Sequence, residues 1–600
     1  MVNETASEPE PAPPLRQRVK GALRGILRNE QLALLVLAVI MGAVAAFGAI
    51  AFRYLYLFIQ GVGFGAWSDT LVAHAQSLPA WRILLVPTAG GLLIGLFVHF
   101  FMPGRRPHAV ADVMEAVAVR SGRMGMRAGL CSALVSATSI GVGGSVGREG
   151  PVVHLGASLC SWISRKLGLS RSLTINLLGC GVAAAIASSF NAPIAGTFFA
   201  LEVIIGHYAL TAFAPIVLAS VTGTIISRTQ FGNFPAFIVP GDHIISPLEF
   251  PAFALLGVVC AGVAIILMKS IGYTQEVAGK TPLPSWAHPM VGGLLIGIIA
   301  LVFPQVLGVG YGTTDAALKE QLLLPMLIAL LAAKMVAVAL SLGTGFGGGV
   351  FSPSLFLGAM VGGAFGLIAA VPFPELASGH SAYTLVGMGA VAGAVLGAPI
   401  STILIMFELT GDYAVTVAVM VAVVISSVIT QQVFGGSYFS KQLDRRGLNL
   451  RRGREEGLLA QTHVGDVMTA MFTAVSPATA MPALRQKLQI APHAQLFVVT
   501  GDGVLHGTVT LGDLSGSAFD TSLDDVVNAA DVARTHPHVL TPDTDLDVAI
   551  KLMEDVHEEH IAVVESLESM KMIGVVHEVE VMLAYNRALM RARAEEHGEL

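Results

Sequence analysis

The segment Gly141-Val-Gly-Gly-Ser-Val-Gly-Arg-Glu-Gly-Pro151 leads into an apolar helical pattern, and Gly343-Thr-Gly-Phe-Gly-Gly-Gly-Val-Phe-Ser-Pro353 leads into another. Glycine lets backbone N–H groups approach a ligand closely, and proline suits the first turn of a helix. A helix N-terminus carries roughly half a positive charge and free N–H donors, so two that converge can bind an anion without a cationic side chain. The pattern therefore predicts an anion site, although such glycines also occur where helices simply pack closely.

The composition places most of the chain in a lipid bilayer. Of 600 residues, 54% are hydrophobic and only 13% are charged, whereas soluble domains contain about 25% charged residues. Apolar stretches long enough to span, at about 20 residues each, recur between residues 31 and 434, and glycine and proline interrupt several of them. The net charge of −6 argues against a nucleic-acid partner, and the four cysteines, without CxxC spacing, suggest neither disulfides nor a zinc site.

The first glycine-rich segment contains a charged pair, Arg148-Glu149. An ionisable side chain at membrane depth costs at least about 2.5 kcal/mol, so its presence indicates a function. A structural salt bridge is the alternative explanation. The embedded charge favours a functional site over simple helix packing.

The apolar part of the chain is an internal duplication. Asn191-Ala-Pro-Ile-Ala-Gly-Thr-Phe-Phe-Ala-Leu-Glu202 recurs as Gly397-Ala-Pro-Ile-Ser-Thr-Ile-Leu-Ile-Met-Phe-Glu408, with Ala-Pro-Ile and the final glutamate in register. We predict an α-helical polytopic membrane domain at 31–440, with repeats at about 31–230 and 245–440. Repeats with interrupted helices are typical of secondary transporters, whose substrate site lies at the repeat interface.

Basic segments flank the membrane domain on both sides. Apolar residues at helical spacing among arginines and lysines between residues 15 and 28 predict an amphipathic helix, which with a preceding tail occupies 1–30. A solvated charged helix face is the alternative. A second basic run lies in a linker at 441–460. Because Lys and Arg accumulate on the cytoplasmic side, we predict a multi-pass protein of the plasma (inner) membrane with both termini in the cytoplasm.

Residues beyond about 456 have the composition of a soluble domain and contain a second duplication. Val475-Ser-Pro-Ala-Thr479 matches Leu540-Thr-Pro-Asp-Thr544, and Leu496-Phe-Val-Val499 matches Ile561-Ala-Val-Val564. In each copy a helical pattern precedes one β run and a second β run follows it. We predict two small α/β modules at 461–520 and 521–590, and a tail at 591–600.

Three motifs together resemble the signature sequences of the CLC family of chloride channels and proton-coupled anion exchangers: Gly147-Arg-Glu-Gly-Pro151, Gly349-Val-Phe-Ser-Pro353 and the Asn191 to Glu202 segment. The resemblance covers nearly the whole chain, including the α/β modules, which resemble a CBS pair. It implies a homodimer in which each subunit holds a pore for small anions, such as chloride, between two inverted halves. By similarity Glu149 is the gate: its ionised carboxylate occupies an anion site, and the protonated side chain swings away.

The resemblance implies further anion-binding residues, and two departures from the family pattern leave part of this set open. The set includes Gly147, Arg148, Gly150, Val350 and Phe351. The family's GxGxP stretch falls at Pro107-His108-Ala109, without its glycines, which leaves the preferred anion open among chloride, nitrate and fluoride. His108 aligns with the family's usual serine, or Pro107 does after a slip of one residue, and His108 can equally be a hydrated loop histidine. The family's pore tyrosine aligns with Phe439, and Tyr438 is one residue away.

A third departure concerns proton transport. Exchangers of the family usually carry a second glutamate after the position of Glu202, where this chain has Val203. Valine cannot carry a proton, which favours channel-like conduction; a proton/chloride exchanger with a non-glutamate internal route is the alternative. Glu202, repeated as Glu408, is expected to hold helices together rather than pass protons. An intramembrane enzyme is a remote hypothesis, because the membrane part offers Glu149 no nucleophile or metal ligands.

The C-terminal modules suggest a regulatory ligand. CBS pairs often bind adenosine nucleotides, so the resemblance implies ATP or AMP as candidates, and a structural pair without a ligand is an equal alternative. Thr510 and Asp513 lie where such modules commonly place a ribose-binding acid, and Glu580 is the equivalent in the second copy. His557-Glu-Glu-His560 lacks the spacing of the helical zinc motif, so no metal site is predicted.

Overall fold

The structure, a computed structural model, describes residues 30–597 with gaps at 69–70, 76, 233–236, 238–245, 373–377, 449–461, 492–493, 515–521, 523 and 525. The amphipathic helix predicted at 15–28 lies outside the described residues, as does most of the predicted basic linker. The chain forms two compact units, Met1–Leu448 and Asn449–Leu600.

The first half of the membrane unit consists of helices separated by short loops. These helices are α1 (Glu30–Phe64), α2 (Leu71–Ala75), α3 (Ala80–Phe101), α4 (Val110–Ala118), α5 (Met126–Gly141), α6 (Glu149–Lys166), α7 (Arg171–Phe190), α8 (Pro193–Phe199) and α9 (Leu210–Phe231). A π-helical segment, Ala200–Ile205, continues α8.

The second half follows the same plan. Its helices are α10 (Phe250–Lys280), α11 (His288–Val302), α12 (Tyr311–Leu318), α13 (Leu324–Thr344), α14 (Phe351–Ala369), α15 (His380–Leu396), α16 (Pro399–Thr410), α17 (Tyr413–Phe434) and α18 (Tyr438–Asp444). Within the described part of the chain, nine helices of 18 residues or more are apolar enough to cross a membrane. A helix rises 1.5 Å per residue, so about 20 residues match the ~30 Å hydrocarbon core.

The duplicated segments break their helices at equivalent positions. Helix α7 ends at Asn191 with φ of 60°, and α15 ends at Gly397 with φ of 66°, both left-handed. Such a residue stops a helix, and the proline that soon follows each of them starts the next one, because its missing N–H is not needed there. A long helix followed by a shorter one therefore occurs in both halves.

Glycines bring helix backbones into contact at equivalent positions of the two halves. In the first half, a Cβ atom on Gly156 or Gly181 would collide with the carbonyl oxygen of the other residue, and Gly358 and Gly387 have the same relation in the second half. Small residues allow this approach where lipid supplies no hydrophobic driving force between helices. These contacts and the apolar spans confirm the predicted membrane fold of two related halves.

The second unit contains two copies of one α/β arrangement. Its helices are α19 (Val464–Val467), α20 (Met481–Ile490), α21 (Leu511–Leu514), α22 (Ala529–Val532), α23 (Leu546–Val556) and α24 (Glu578–His597). Its strands are β1 (Ala474–Val475), β2 (Gln495–Val499), β3 (Leu505–Thr510), β4 (Arg534–Thr535), β5 (Val539–Leu540), β6 (His560–Val564) and β7 (Met572–His577). One sheet has the order β1-β2-β3-β4 and the other β5-β6-β7.

The strand pairing repeats between the copies. In each copy a short strand runs parallel to the next strand, which pairs antiparallel with the third. The register shifts between Val498 and Val499 in the first copy and between Val563 and Val564 in the second. Because even this irregularity recurs, the sequence duplication corresponds to a structural one. Helix α24 continues into the range predicted as a tail.

Candidate anion-binding site

The two glycine-rich loops of the membrane unit meet in the protein interior. The Gly147 N–H donates to the Gly349 carbonyl oxygen at 2.7 Å, and the Gly349 N–H donates to the Gly147 carbonyl oxygen at 2.8 Å. A Cβ atom on Gly150 would lie 3.1 Å from Gly349 Cα, so the approach depends on glycine. Helices α6 and α14 begin immediately after this bridge, and their N-termini therefore lie together in the interior.

Glu149 is buried at this junction with only 1% of its surface exposed. The Tyr311 hydroxyl donates to its Oε1 at 2.6 Å, and the Ser352 Oγ lies 2.6 Å from both carboxylate oxygens. Arg148 Nε lies 3.7 Å from Oε1. The carboxylate is therefore surrounded by hydrogen-bond donors and one positive charge.

Arg148 is held by groups outside the loop. Its Nη1 donates to the Tyr56 hydroxyl at 3.1 Å and its Nη2 to the Ser189 carbonyl oxygen at 3.2 Å. Its guanidinium carbon lies 4.7 Å from the centre of the Tyr311 ring, within the range of a cation–π contact. Arg148 thus links α1 and α7 to the junction and lines a different small cavity from Glu149.

A small cavity adjoins Glu149. Its volume of about 10 Å³ is about what a single water-sized particle needs. Apart from the glutamate, its walls are glycines and apolar residues: Val110, Gly150, Val153, Ile186, Phe199, Gly349, Val350, Phe351 and Phe439. The predicted residues Gly150, Val350, Phe351 and Phe439 therefore meet around one space beside Glu149.

A larger cavity of about 400 Å³, here called the vestibule, lies next to this space. It shares Val110, Gly349, Val350 and Phe439 with the small cavity. Arginines dominate its charged lining, with Asp112 as the one carboxylate: Arg105, Arg106, Arg445 and Arg446. The positive balance favours anions in the vestibule. We call the line that runs from the vestibule, past the shared residues, to Glu149 the path.

The loop before α4 contributes backbone and small side chains to this path. Pro107 and Ala109 line the vestibule. His108, between them, contacts other groups: its N–H donates to Ser132 Oγ at 2.9 Å, and its ring Nδ1 lies 3.7 Å from Asp112 Oδ1. No cavity described here has His108 in its lining, so its role in anion binding stays a prediction.

Two aromatic residues begin α18 and line the path. Phe439 lines both the vestibule and the small cavity, whereas Tyr438 lines the vestibule alone. The Tyr438 hydroxyl accepts a hydrogen bond from Gln442 Nε2 at 2.9 Å. Of the two residues, Phe439 alone lines the cavity beside Glu149, together with Phe199 and Phe351, and phenylalanine offers no hydroxyl to an ion.

An ion-pair network joins the end of α18 to α4. Arg446 Nη1 lies 3.1 Å from Asp112 Oδ1 and 3.0 Å from Glu115 Oε2. Arg106 also pairs with Asp112 at 2.6 Å, and Arg120 pairs with Glu115. We did not predict this network from the sequence; the signal that indicates it is the basic run after the last apolar helix, which we interpreted as a linker.

Tyr311 and Ser352 were also not predicted as site residues. Ser352 lies within a quoted motif, but Tyr311 follows a loop that carries no recognised pattern. That loop is fixed by Lys334, which is fully buried and donates from Nζ to the carbonyl oxygens of Val306 at 3.0 Å and Gly308 at 2.9 Å. The sequence signal for this contact is a lysine within an otherwise apolar helix, because such a charge at membrane depth needs a partner.

Glu202 and Glu408 form reciprocal contacts between the two halves. Glu202 accepts hydrogen bonds from the N–H groups of Ile400 at 3.1 Å and Ser401 at 2.8 Å, and from Ser401 Oγ at 2.5 Å. Glu408 accepts from the N–H groups of Ile194 at 2.9 Å and Ala195 at 2.8 Å. Each carboxylate thus caps the N-terminus of the other half's short helix, an arrangement suited to holding the halves together. Val203, next to Glu202, is buried.

A pair of histidines lies near Asp112, one of the residues that line the vestibule. His154 is buried on α6, and the centres of its ring and the His108 ring are 5.7 Å apart. Its Nδ1 has no hydrogen-bond partner among the described residues. His108 belongs to the Pro107-His108-Ala109 stretch, but the sequence did not predict its contact with His154.

In the second unit, the Asp513 carboxylate accepts hydrogen bonds from two residues of the same unit, Thr510 and Arg534. Its Oδ2 accepts from the Thr510 N–H at 2.8 Å and from Thr510 Oγ1 at 2.7 Å, and its Oδ1 accepts from Arg534 Nε at 2.6 Å. Burial raises the pKa of Asp513, but the Thr510 hydrogen bonds and the Arg534 guanidinium outweigh burial and hold the pKa below its usual value. Glu580, the equivalent in the second copy, is exposed. Nucleotide binding at these residues stays a prediction.

Family comparison agrees with both units. The model of the family described as voltage gated chloride channel matches residues 90–431, and the CBS domain model matches residues 529–587. A putative chloride channel protein, ClcB-like, of Ralstonia nicotianae is 35% identical over 388 residues, which cover 64% of this chain and 90% of that protein.

Two solved structures share the fold. A slow cyanobacterial Cl−/H+ antiporter matches with a TM-score of 0.62 and 20% identity, covering 69% of this chain and 97% of the other. A eukaryotic CLC transporter matches with a TM-score of 0.61 and 20% identity, covering 92% of this chain and 98% of the other. At this identity the likeness concerns the fold.

Proposed function

The chain belongs to the voltage gated chloride channel (CLC) family and carries a CBS domain, and from this premise we propose that it conducts chloride or another small anion along the path from the vestibule to Glu149. The observation that carries the proposal is the position of Glu149: its side chain lines the small cavity that shares four lining residues with the vestibule. In that position the side chain blocks the path, and its departure opens the path.

The helix starts at the junction supply the attraction for anions. The first i to i−4 bonds of the two helices are donated by Val152 and Ser354. Backbone N–H groups before those residues lie outside the intrahelical ladder and can donate to an ion. An ionised Glu149 competes with the ion for these donors, and a protonated one does not. Glu149 therefore acts as the gate.

We favour passive, channel-like conduction. Glu149 is the one titratable side chain in the lining of the small cavity. At the position where family exchangers usually carry a second glutamate, this chain has the buried Val203. Neither feature supplies an inner proton carrier, so anion movement is expected without obligatory proton movement.

A specific observation supports a second candidate, a proton-coupled exchanger. His154 lies on the same helix as Glu149, and its ring is close to that of His108, whose own ring lies near Asp112 at the vestibule. A neutral imidazole has one acceptor nitrogen and one donor nitrogen, so it can receive a proton on one and release a proton from the other. In this alternative the two histidines replace the missing glutamate as the inner proton route.

Flux measurements in proteoliposomes separate these candidates. With a chloride gradient and no proton gradient, a channel gives fast anion flux with no change in internal pH, whereas an exchanger drives protons against the anion gradient. Conductance that reverses at the potassium potential would reject anion transport altogether.

As a test of the gate, Glu149→Gln is expected to remove the pH dependence of flux, because the side chain no longer ionises. Unchanged pH dependence would contradict the gate.

We also propose the cellular setting of the protein. It is a multi-pass membrane protein, and we place it in the plasma (inner) membrane as a homodimer with both termini in the cytoplasm, as the family resemblance implies. The CBS pair would then face the cytoplasm, where ATP or AMP can reach it. Light scattering of the detergent-solubilised protein measures its oligomeric state, and a monomeric mass would contradict the dimer.

Membership of a family of channels and transporters supports the expectation that the chain is not an enzyme.

A further inference from the structure

Two hydroxyl groups, from different parts of the second half, meet on the Glu149 carboxylate. Tyr311 is the first residue of α12, and Ser352 is the second residue of α14. The two hydroxyl oxygens lie 3.4 Å from each other, and each is 2.6 Å from a carboxylate oxygen. Neither residue is assigned a role by the motifs that indicate anion transport.

We propose that the hydroxyls of Tyr311 and Ser352 form a two-point clasp that holds the Glu149 carboxylate in the path and determines how readily an anion displaces it. The inference rests on the proposed role of Glu149 as gate. It adds two positioning residues, which act on the anion through Glu149.

The count of donors and acceptors supports a clasp for the ionised side chain. Each hydroxyl carries one hydrogen, so Tyr311 can donate to Oε1 while Ser352 donates to Oε2. An ionised carboxylate accepts both bonds, and bonds to a charged acceptor are roughly twice as strong as neutral ones. A neutral carboxyl group carries a hydrogen on one oxygen, and that oxygen donates a hydrogen bond instead of accepting one. Only one of the two hydroxyl contacts can then keep its direction.

The surroundings fix the Tyr311 hydroxyl in place. The tyrosine ring packs edge-on against Phe237 with centres 5.0 Å apart, and the Arg148 guanidinium lies over the ring. The preceding loop is held by the buried Lys334 through Gly308. A hydroxyl placed by three separate contacts loses little freedom when it bonds to Glu149, which strengthens the clasp.

Tyr311 also lies at a boundary between spaces. It lines a cavity of about 20 Å³, together with Gln60 and the loop around Gly308, that shares no lining residue with the vestibule or with the cavity beside Glu149. The Tyr311–Glu149 hydrogen bond thus joins a residue that lines this cavity to a residue that lines the other one.

The test is a double-mutant cycle in proteoliposomes at one fixed pH. In the native background, Tyr311→Phe and Ser352→Ala are each expected to raise anion flux about tenfold, because each removes one charge-assisted hydrogen bond from the gate. Titration calorimetry with chloride should show tighter binding by a similar factor, since Glu149 competes less well. In the Glu149→Ala background, neither substitution should change flux or affinity.

Two control variants each remove a hydroxyl group that has no contact with Glu149, and they measure the effect of losing a hydroxyl elsewhere in the membrane unit. Ser354→Ala removes a hydroxyl two residues along α14 that donates to the Val350 carbonyl oxygen of its own helix. Tyr383→Phe removes a buried tyrosine hydroxyl on α15, where the ring packs on Phe253 and Phe365. Both should leave flux within about twofold of native, because ordinary substitutions away from the site have small effects.

Two outcomes overturn the clasp: no rise in flux or affinity in the native background, or equal changes in the Glu149→Ala background. If the gate itself is wrong, Glu149→Ala alone leaves flux and its pH dependence at native values. Failure of the clasp is therefore distinguishable from failure of the proposed function. Tyr311→Phe and Ser352→Ala remove one oxygen atom each, and elution as a single species shows that the variants fold.

Discussion

The two halves of the membrane unit agree at some equivalent positions and differ at others. Glycine and proline recur in both loops, at Gly147 and Gly349 and at Pro151 and Pro353. The three residues between them differ completely, with Arg-Glu-Gly in the first loop and Val-Phe-Ser in the second. The shared residues pair the loops and start the helices, whereas the differing ones surround the small cavity and Glu149. Shared positions therefore support the architecture, and divergent positions carry the chemistry.

The largest effect is expected when a shared glycine is replaced. A Cβ atom on Gly349 would lie 3.0 Å from the Gly150 backbone nitrogen, so Gly349→Ala must push the two loops apart. We expect a loss of about 1–3 kcal/mol of stability, as for other overpacked sites, together with loss of most anion flux. Thermal unfolding in detergent and liposome flux measure the two effects.

Gly262→Ala is the matched control for this substitution. Gly262 lies in α10, and a Cβ atom there would meet nothing within 4 Å. Its substitution should leave both stability and flux close to native. Equal behaviour of the two alanine variants would show that the meeting of the loops does not depend on glycine.

The next effect concerns the reciprocal carboxylates, which test whether the halves are held together in the same way. Glu202→Gln and Glu408→Gln should each lower stability by about 1–3 kcal/mol, because an amide replaces a charged acceptor at a helix N-terminus. Glu202 has the additional bond from Ser401 Oγ, whereas Ala195, the equivalent residue opposite Glu408, has no hydroxyl. Glu202→Gln should therefore lower stability more than Glu408→Gln does. In a Ser401→Ala background the two glutamine substitutions should lower stability equally.

The measurement is the unfolding midpoint of these variants in detergent, with flux as a second readout. A larger loss for Glu408→Gln than for Glu202→Gln would contradict the comparison. If Glu202 passes protons, Glu202→Gln alters proton movement in the liposome assay. A purely structural carboxylate leaves it unchanged in the folded protein.

Much of the fold could be predicted from the sequence because repeats and glycine breaks are local patterns. The duplication around Ala-Pro-Ile, the two loops and the paired α/β copies all have such patterns, and the structure contains them. The meeting of Glu149 with Tyr311 could not be predicted, because it joins residues far apart in the chain with no periodic signal. His108 shows a second limit: the resemblance places it beside the path, but its N–H bonds to Ser132 and its ring lies near Asp112. Its role in anion binding stays a prediction.

A smaller effect is expected at the vestibule, where the first half meets the end of the second. Arg445→Gln and Arg446→Gln each remove one positive charge, which should lower flux about twofold at low salt through weaker steering. At high salt this difference is screened. Arg445 bonds to Gln275, but Arg446 pairs with Asp112 and Glu115 on α4, whose first residue, Val110, lines the path. High salt should thus restore flux in Arg445→Gln and only partly in Arg446→Gln; full restoration in both would show that the ion pairs do not shape the path.

The smallest effect extends the comparison to the two copies of the second unit. Asp513 is occupied by Arg534 in the first copy, while Glu580 in the second is exposed. If Asp513 accepts ribose hydroxyls, a nucleotide must first displace Arg534, so Arg534→Ala should tighten AMP binding by about tenfold, the worth of one bond to a charged group. Titration calorimetry of the full chain with AMP measures this, and Glu580→Ala in the same assay measures what the equivalent residue of the second copy contributes. Because the lowered pKa keeps Asp513 ionised at neutral pH, the gain should not vary between pH 6 and 8. An unaltered affinity in Arg534→Ala would show that Asp513 is held as a structural residue and that the first copy does not use it to bind a nucleotide.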